Sequence, residues 1–93
     1  MKDMIRTLHP QKKLGVNISL EKYEIIRKAI LSALRIQKEM TFMALARAVE
    51  KDLRGTFEGS VTWYVTTVKL DLEARGTLKR VPNSRPQLVR LVR

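Results

Sequence analysis

The stretch around Gly76 constrains the fold of this chain more than any other. Leu72, Glu73, Ala74 and Arg75 read as the end of a helix, and glycine best tolerates the left-handed conformation in which helices stop. Two strand-like runs follow, residues 77–81 and 87–92, joined by Pro82, Asn83, Ser84, Arg85 and Pro86. Two prolines around an Asn-Ser pair punctuate a turn, so the spacing predicts a helix feeding a β-hairpin. From Arg75 to Arg93 there are six arginines and lysines and no carboxylate. A ribbon of that charge is suited to lie along a phosphate backbone.

Upstream, three helices are expected. Ser19 is a good N-cap with Glu21 in the first turn, and Tyr23, Ile26, Ile30, Ala33 and Leu34 recur at helical spacing. This predicts a first helix over 19–37. A second apolar row, Ile25, Ala29 and Ile36, implies either a wide buried stripe or the seam of a homodimer. Glu39, Met40 and Thr41 form a short connector or a brief strand. Thr41 then caps a second helix over 42–53, with Phe42, Leu45, Ala46, Val49 and Leu53 on one face. A loop containing Gly55, Phe57 and Gly59 leads to a third helix that starts at Gly59-Ser60 and ends at Gly76. Val61, Val65, Val68 and Leu72 should face its core. The β-branched run from Val61 to Val68 also admits a strand, but the cap, the four-residue spacing and the terminal glycine favour the helix. Residues 1–18 read as a basic arm: Leu14, Val16 and Ile18 alternate at strand period, and a freer stretch is expected before Gln11. The domain proper is 19–93. The expected class is mainly α with a small β-hairpin, an α+β fold.

Ninety-three residues allow one modest core. There is no cysteine, which excludes disulfides and thiolate metal sites. No apolar run is long enough to span a membrane, and the first residues lack a signal-peptide core. A cytoplasmic protein is expected. The net charge of +10 is large for this length and is spread along the chain, which suits a polyanionic partner.

The order of three helices followed by two strands around a basic turn resembles the winged helix-turn-helix superfamily. The junction Leu72-Glu73-Ala74-Arg75-Gly76-Thr77-Leu78 is similar to the end of the third helix in many bacterial winged-helix regulators. The whole chain also resembles a family of small uncharacterised bacterial winged-helix proteins. The matching pieces are Thr7-Leu8-His9-Pro10, Gly15-Val16-Asn17-Ile18 and the run from Trp63 to Gly76. That second resemblance implies a fold and carries no function. The first implies binding of duplex DNA, with the third helix entering the major groove and the wing lying over neighbouring backbone.

On that reading Ser60, Thr62 and Thr66 are candidates to hydrogen-bond phosphates or bases, and Lys69 to reach the backbone. Ser60 also sits at the positive helix end, where a phosphate is favoured. On the wing, Lys79, Arg80 and Arg85 are the candidate cations, with Arg85 fenced by Pro82 and Pro86. One feature departs from the pattern. The outer face of the third helix has no arginine, asparagine or glutamine, the usual base readers, and Asp71 nearby would repel phosphate. Trp63 and Leu70 on that face are apolar and suit a protein contact, so a protein-interaction or dimerisation module is the alternative. Weak sequence specificity follows if DNA is bound.

Nothing points to catalysis. His9 is the single histidine, and no His, Asp and Glu cluster has metal-ligand spacing. The pairs Glu21 with Glu24 and Asp71 with Glu73 sit beside lysines on expected helix surfaces, where ion pairing outweighs acid–base work. No phosphate-cradling glycine loop is present. Neither an enzyme, a cofactor nor a small-molecule substrate is expected.

Overall fold

A computed structural model of the chain describes residues 3–92. Its elements are β1 (Met4–Arg6), β2 (Asn17–Ser19), α1 (Leu20–Gln37), β3 (Glu39–Thr41), α2 (Phe42–Asp52), α3 (Val61–Ala74), β4 (Leu78–Arg80) and β5 (Leu88–Leu91). The described residues form an α+β fold of three helices and two small antiparallel sheets.

Local chemistry explains the helix boundaries. The side chains of Ser19, Thr41 and Ser60 accept from the backbone N–H groups of Lys22, Ala44 and Trp63, satisfying donors that would otherwise be orphaned at each start. At the end of α3, Gly76 takes φ +80, its N–H donates to Glu73 O, and the Thr77 N–H donates to Leu72 O. This pair of bonds is a Schellman closure, which turns the chain directly into β4. The run from Val61 to Val68 is helix despite its β-branched residues. Burial of Val65, Val68 and Leu72 on one face outweighs the weak intrinsic propensity of the valines and threonines in the run.

The core lies between the three helices and the C-terminal sheet. Ile26, Ile30 and Leu34 of α1 meet Leu45 and Val49 of α2, Val65, Val68 and Leu72 of α3, and Leu78 and Val89 of the sheet. Each fully buried aliphatic side chain stabilises by about 1.5–3 kcal/mol. The second row on α1 divides: Ala29 is buried, while Ile25 and Ile36 are exposed.

The structure differs from the sequence pattern in two places. The C-terminal hairpin is not a two-stranded unit, because the connector pairs as β3 and gives the sheet order β3-β5-β4, with Val89 opposite both Met40 and Arg80. Residues 3–10 are not free either, while Met1 and Lys2 lie outside the described residues. Ile5 pairs with Ile18 across β1 and β2, Thr7 N–H donates to Val16 O, and Leu8 N–H donates to Asp71 on α3. Gly15 makes this closure possible, since a Cβ there would lie 1.7 Å from Thr7 O. No helix among the described residues is long and apolar enough to cross a membrane.

Candidate nucleic-acid interface

The expected site residues lie on helix α3, on its cap Ser60 and on the β4–β5 hairpin that the helix feeds. Ser60 caps α3 and is exposed; its hydroxyl accepts from Trp63 N–H and keeps its proton for an outside acceptor. Thr62 is exposed. Thr66 donates its hydroxyl proton to Thr62 O at 2.9 Å, so it presents lone pairs rather than a donor to any phosphate.

Two residues of α3 are placed otherwise than expected. Lys69 does not stand free to reach a backbone. Its Nζ lies 3.5 Å from Glu73 Oε1 and 6.0 Å from the centre of the Phe42 ring. Its position one turn before Glu73 and against the start of α2 explains the capture. Leu70 is half-buried rather than exposed. Trp63 does remain 45% exposed, and its ring packs edge-on against Tyr64 at 4.9 Å. Tyr64 in turn meets Phe57 edge-on, and Lys22 Nζ lies over both rings. Trp63 is thus an exposed ring on a fixed base.

On the hairpin, Lys79, Arg80 and Arg85 are all exposed. Arg80 Nε lies 3.3 Å from Glu73 Oε2, so Glu73 holds Lys69 and Arg80 together. Arg75 is paired with Asp71, and Arg90 with Glu39. Among the described residues, Lys79 and Arg85 have no acid within ion-pair distance. The turn carrying Arg85 is braced. Ser84 donates to Val81 O and accepts from Leu88 N–H, and the Gln87 amide also donates to Val81 O. Asn83 takes φ 61 at its apex, a conformation asparagine tolerates.

The sequence pattern predicts Asp71 on the helix surface, as a group hostile to phosphate. It is fully buried. Its carboxylate accepts from Leu8 N–H at 2.8 Å, from the Tyr23 hydroxyl and from Arg75 Nε at 2.8 Å. Burial, reinforced by the hydrogen bond to Asp71, pushes the Tyr23 phenol up to about 12. The hydrogen bond to Asp71 also raises the Arg75 guanidinium. The carboxylate is therefore internally compensated and presents nothing to a ligand. Nothing in the local sequence distinguishes it from a surface acid; Leu8 and Tyr23, far along the chain, do.

The model of a family of unknown function, DUF6958, matches residues 4–88. The chain belongs to that family. No curated protein matches it, and no solved structure does.

In this DUF6958 protein the arm adds a feature beside the hairpin. A groove of about 550 Å³ runs between residues 6–15 and the end of α3, lined among others by Arg6, His9, Lys12, Lys13 and Glu73. A neighbouring groove of about 330 Å³ shares Pro10 and Glu73 and continues along Leu78, Lys79 and Arg80. Among the described residues no group of His, Asp and Glu is placed to hold a metal ion.

Proposed function

We propose that the protein is a winged-helix DNA-binding protein, with β4 and β5 as the wing and α3 as the helix facing the duplex. It would act as a small transcriptional regulator or as a DNA-associated factor of low sequence specificity. The observation that carries the reading is the exposure of Lys79 and Arg85, unpaired among the described residues, on a braced hairpin fed directly by α3. The element order α1–β3–α2–α3–β4–β5, with β5 central, supports the wing assignment. The net charge of +10 supports a polyanionic partner.

The residues divide by role. Lys79 and Arg85 hold phosphates, and Arg80 joins them when phosphate competes with Glu73 for its exposed guanidinium. Ser60 and Thr62 donate hydroxyls from the start of α3. Thr66 offers a methyl and lone pairs, which suits apolar or donor groups on base edges. With Lys69 held by Glu73, α3 has little with which to tell one base from another. Backbone contacts then dominate, and no catalytic step is involved.

The decisive experiment is titration of labelled duplex DNA at several salt concentrations while following Trp63 fluorescence. Neutralisation of about four to six phosphates gives a log–log slope of roughly −4 to −5. Binding that ignores salt, or no binding, rejects the reading. A second reading, docking of a protein partner or another copy on the α3 face, is favoured by the exposed, edge-supported Trp63. It predicts that Trp63→Ala abolishes assembly while leaving DNA affinity intact.

A further inference from the structure

The N-terminal hairpin carries a cationic cleft that the α3 and wing contacts do not use. Its wall is held in place. Thr7 is buried and bonded to Val16 through backbone and hydroxyl, Gly15 packs against the Thr7 carbonyl, and Leu8 N–H is fixed to Asp71. The turn between them is tight: Lys12 N–H donates to His9 O, and Lys12 adopts φ 60. A lysine in the left-handed region is uncommon and is held there by its surroundings. The turn orders His9, Lys12 and Lys13 beside Arg6, and all four line the groove.

The chemistry of these groups is that of an anion site. Arg6, Lys12 and Lys13 are exposed and, among the described residues, have no acidic partner. His9 Nδ1 accepts from Gln11 N–H at 3.1 Å, so the neutral ring carries its proton on Nε2 as a further donor. The acid lining the groove, Glu73, is already shared between Lys69 and Arg80. The groove continues past Pro10 to Lys79 and Arg80 on the wing.

We infer that this cleft is a phosphate-binding site, and that it extends the wing's grip by holding backbone phosphates of the same nucleic acid. The inference rests on the DNA-binding reading for the source of the phosphate, while the site itself rests on the cleft. A free phosphorylated compound is the other source with the same chemistry.

The test uses the single histidine as a reporter. His9 ring resonances are followed by NMR in the full chain while inorganic phosphate or a short duplex is added. The salt slope of duplex binding is measured in parallel for wild type and for the triple variant Arg6→Gln, Lys12→Asn, Lys13→Gln. Asparagine is chosen at position 12 because it tolerates the left-handed conformation. The expected result is that both additions shift His9 in wild type, neither does in the variant, and the slope becomes shallower by about two to three. Duplex binding with an unmoved His9 and an unchanged slope overturns the cleft and leaves the proposed function standing. Phosphate that moves His9 without any duplex binding has the opposite effect: it assigns the cleft to a free phosphorylated compound and removes the DNA reading.

Discussion

The Tyr23 hydroxyl on α1 donates to the Asp71 carboxylate on α3, joining residues 48 positions apart inside the core. The same carboxylate accepts from Leu8 N–H and Arg75 Nε. One acid therefore ties together the N-terminal hairpin, the central helix and the exit toward β4. A buried carboxylate is costly unless its lone pairs are filled, and here three donors fill them.

Removing that acid should be expensive. Asp71→Ala strands the Tyr23 hydroxyl and the Leu8 N–H, while Arg75, partly exposed, can turn to solvent. A loss of about 2–4 kcal/mol is expected from two stranded donors. Urea unfolding would show this as a lower midpoint at an unchanged slope. A loss under about 1 kcal/mol would contradict the buried network.

Alkaline pH should act through Tyr23. Its ordinary value is 10.0, and burial followed by the bond to Asp71 lifts it to about 12. The folded state thus keeps a proton that the unfolded chain has released, so the stabilising contribution is complete below about pH 10 and is lost as pH rises toward about 12. Stability measured across that window should fall more steeply for wild type than for Tyr23→Phe. If the two curves run parallel, the phenol is not held as described.

Charge removal on the wing should separate free from paired cations. Lys79→Ala with Arg85→Ala should weaken duplex binding and make the salt slope shallower by about two. Arg80→Ala alone should do less, because Glu73 already engages that guanidinium. Glu73→Gln should act in the opposite direction and strengthen binding severalfold, since it frees both Lys69 and Arg80. Full affinity in the Lys79/Arg85 double variant would take the wing out of the mechanism.

Gly15→Ala tests the arm. A Cβ at that position collides with Thr7 O, so the closing end of the hairpin must open. A destabilisation of about 1–3 kcal/mol is expected from such overpacking. Hydrogen exchange should show faster loss of the Thr7 and Leu8 amides, with the α1 core unaffected. Unchanged protection at both amides would mean that the arm is not latched through this contact.

Much of the fold can be read locally. Ser19, Thr41 and Ser60 are capping residues directly ahead of apolar periodicity, and helices begin just after each of them. Gly76 ends α3 by the conformation expected of it, and β4 and β5 fall within the two runs around the proline-bounded turn. What could not be read depends on distant partners. The third strand exists only because β5 returns to lie beside Glu39–Thr41. Asp71 lies in a polar-looking stretch of helix, and its burial is decided by Tyr23 and Leu8. Arg80 looks free in the sequence because the acid that holds it, Glu73, meets it only after the chain has turned at Gly76. The Lys69–Glu73 pair, by contrast, is a local contact that the four-residue spacing does display. Cation identity was legible; which cations remain available was not.

The central place of β5 governs when the cationic ribbon can exist. Neither Glu39–Thr41 nor Leu78–Arg80 has a ladder partner until Leu88–Leu91 is present to slot between them. During synthesis the helices can collapse early, but a nascent chain halted before Leu88 would own these lysines and arginines without any rigid frame to aim them. On the proposed DNA-binding reading, the grip on a polyanion then arrives abruptly, once Leu88–Leu91 has been made.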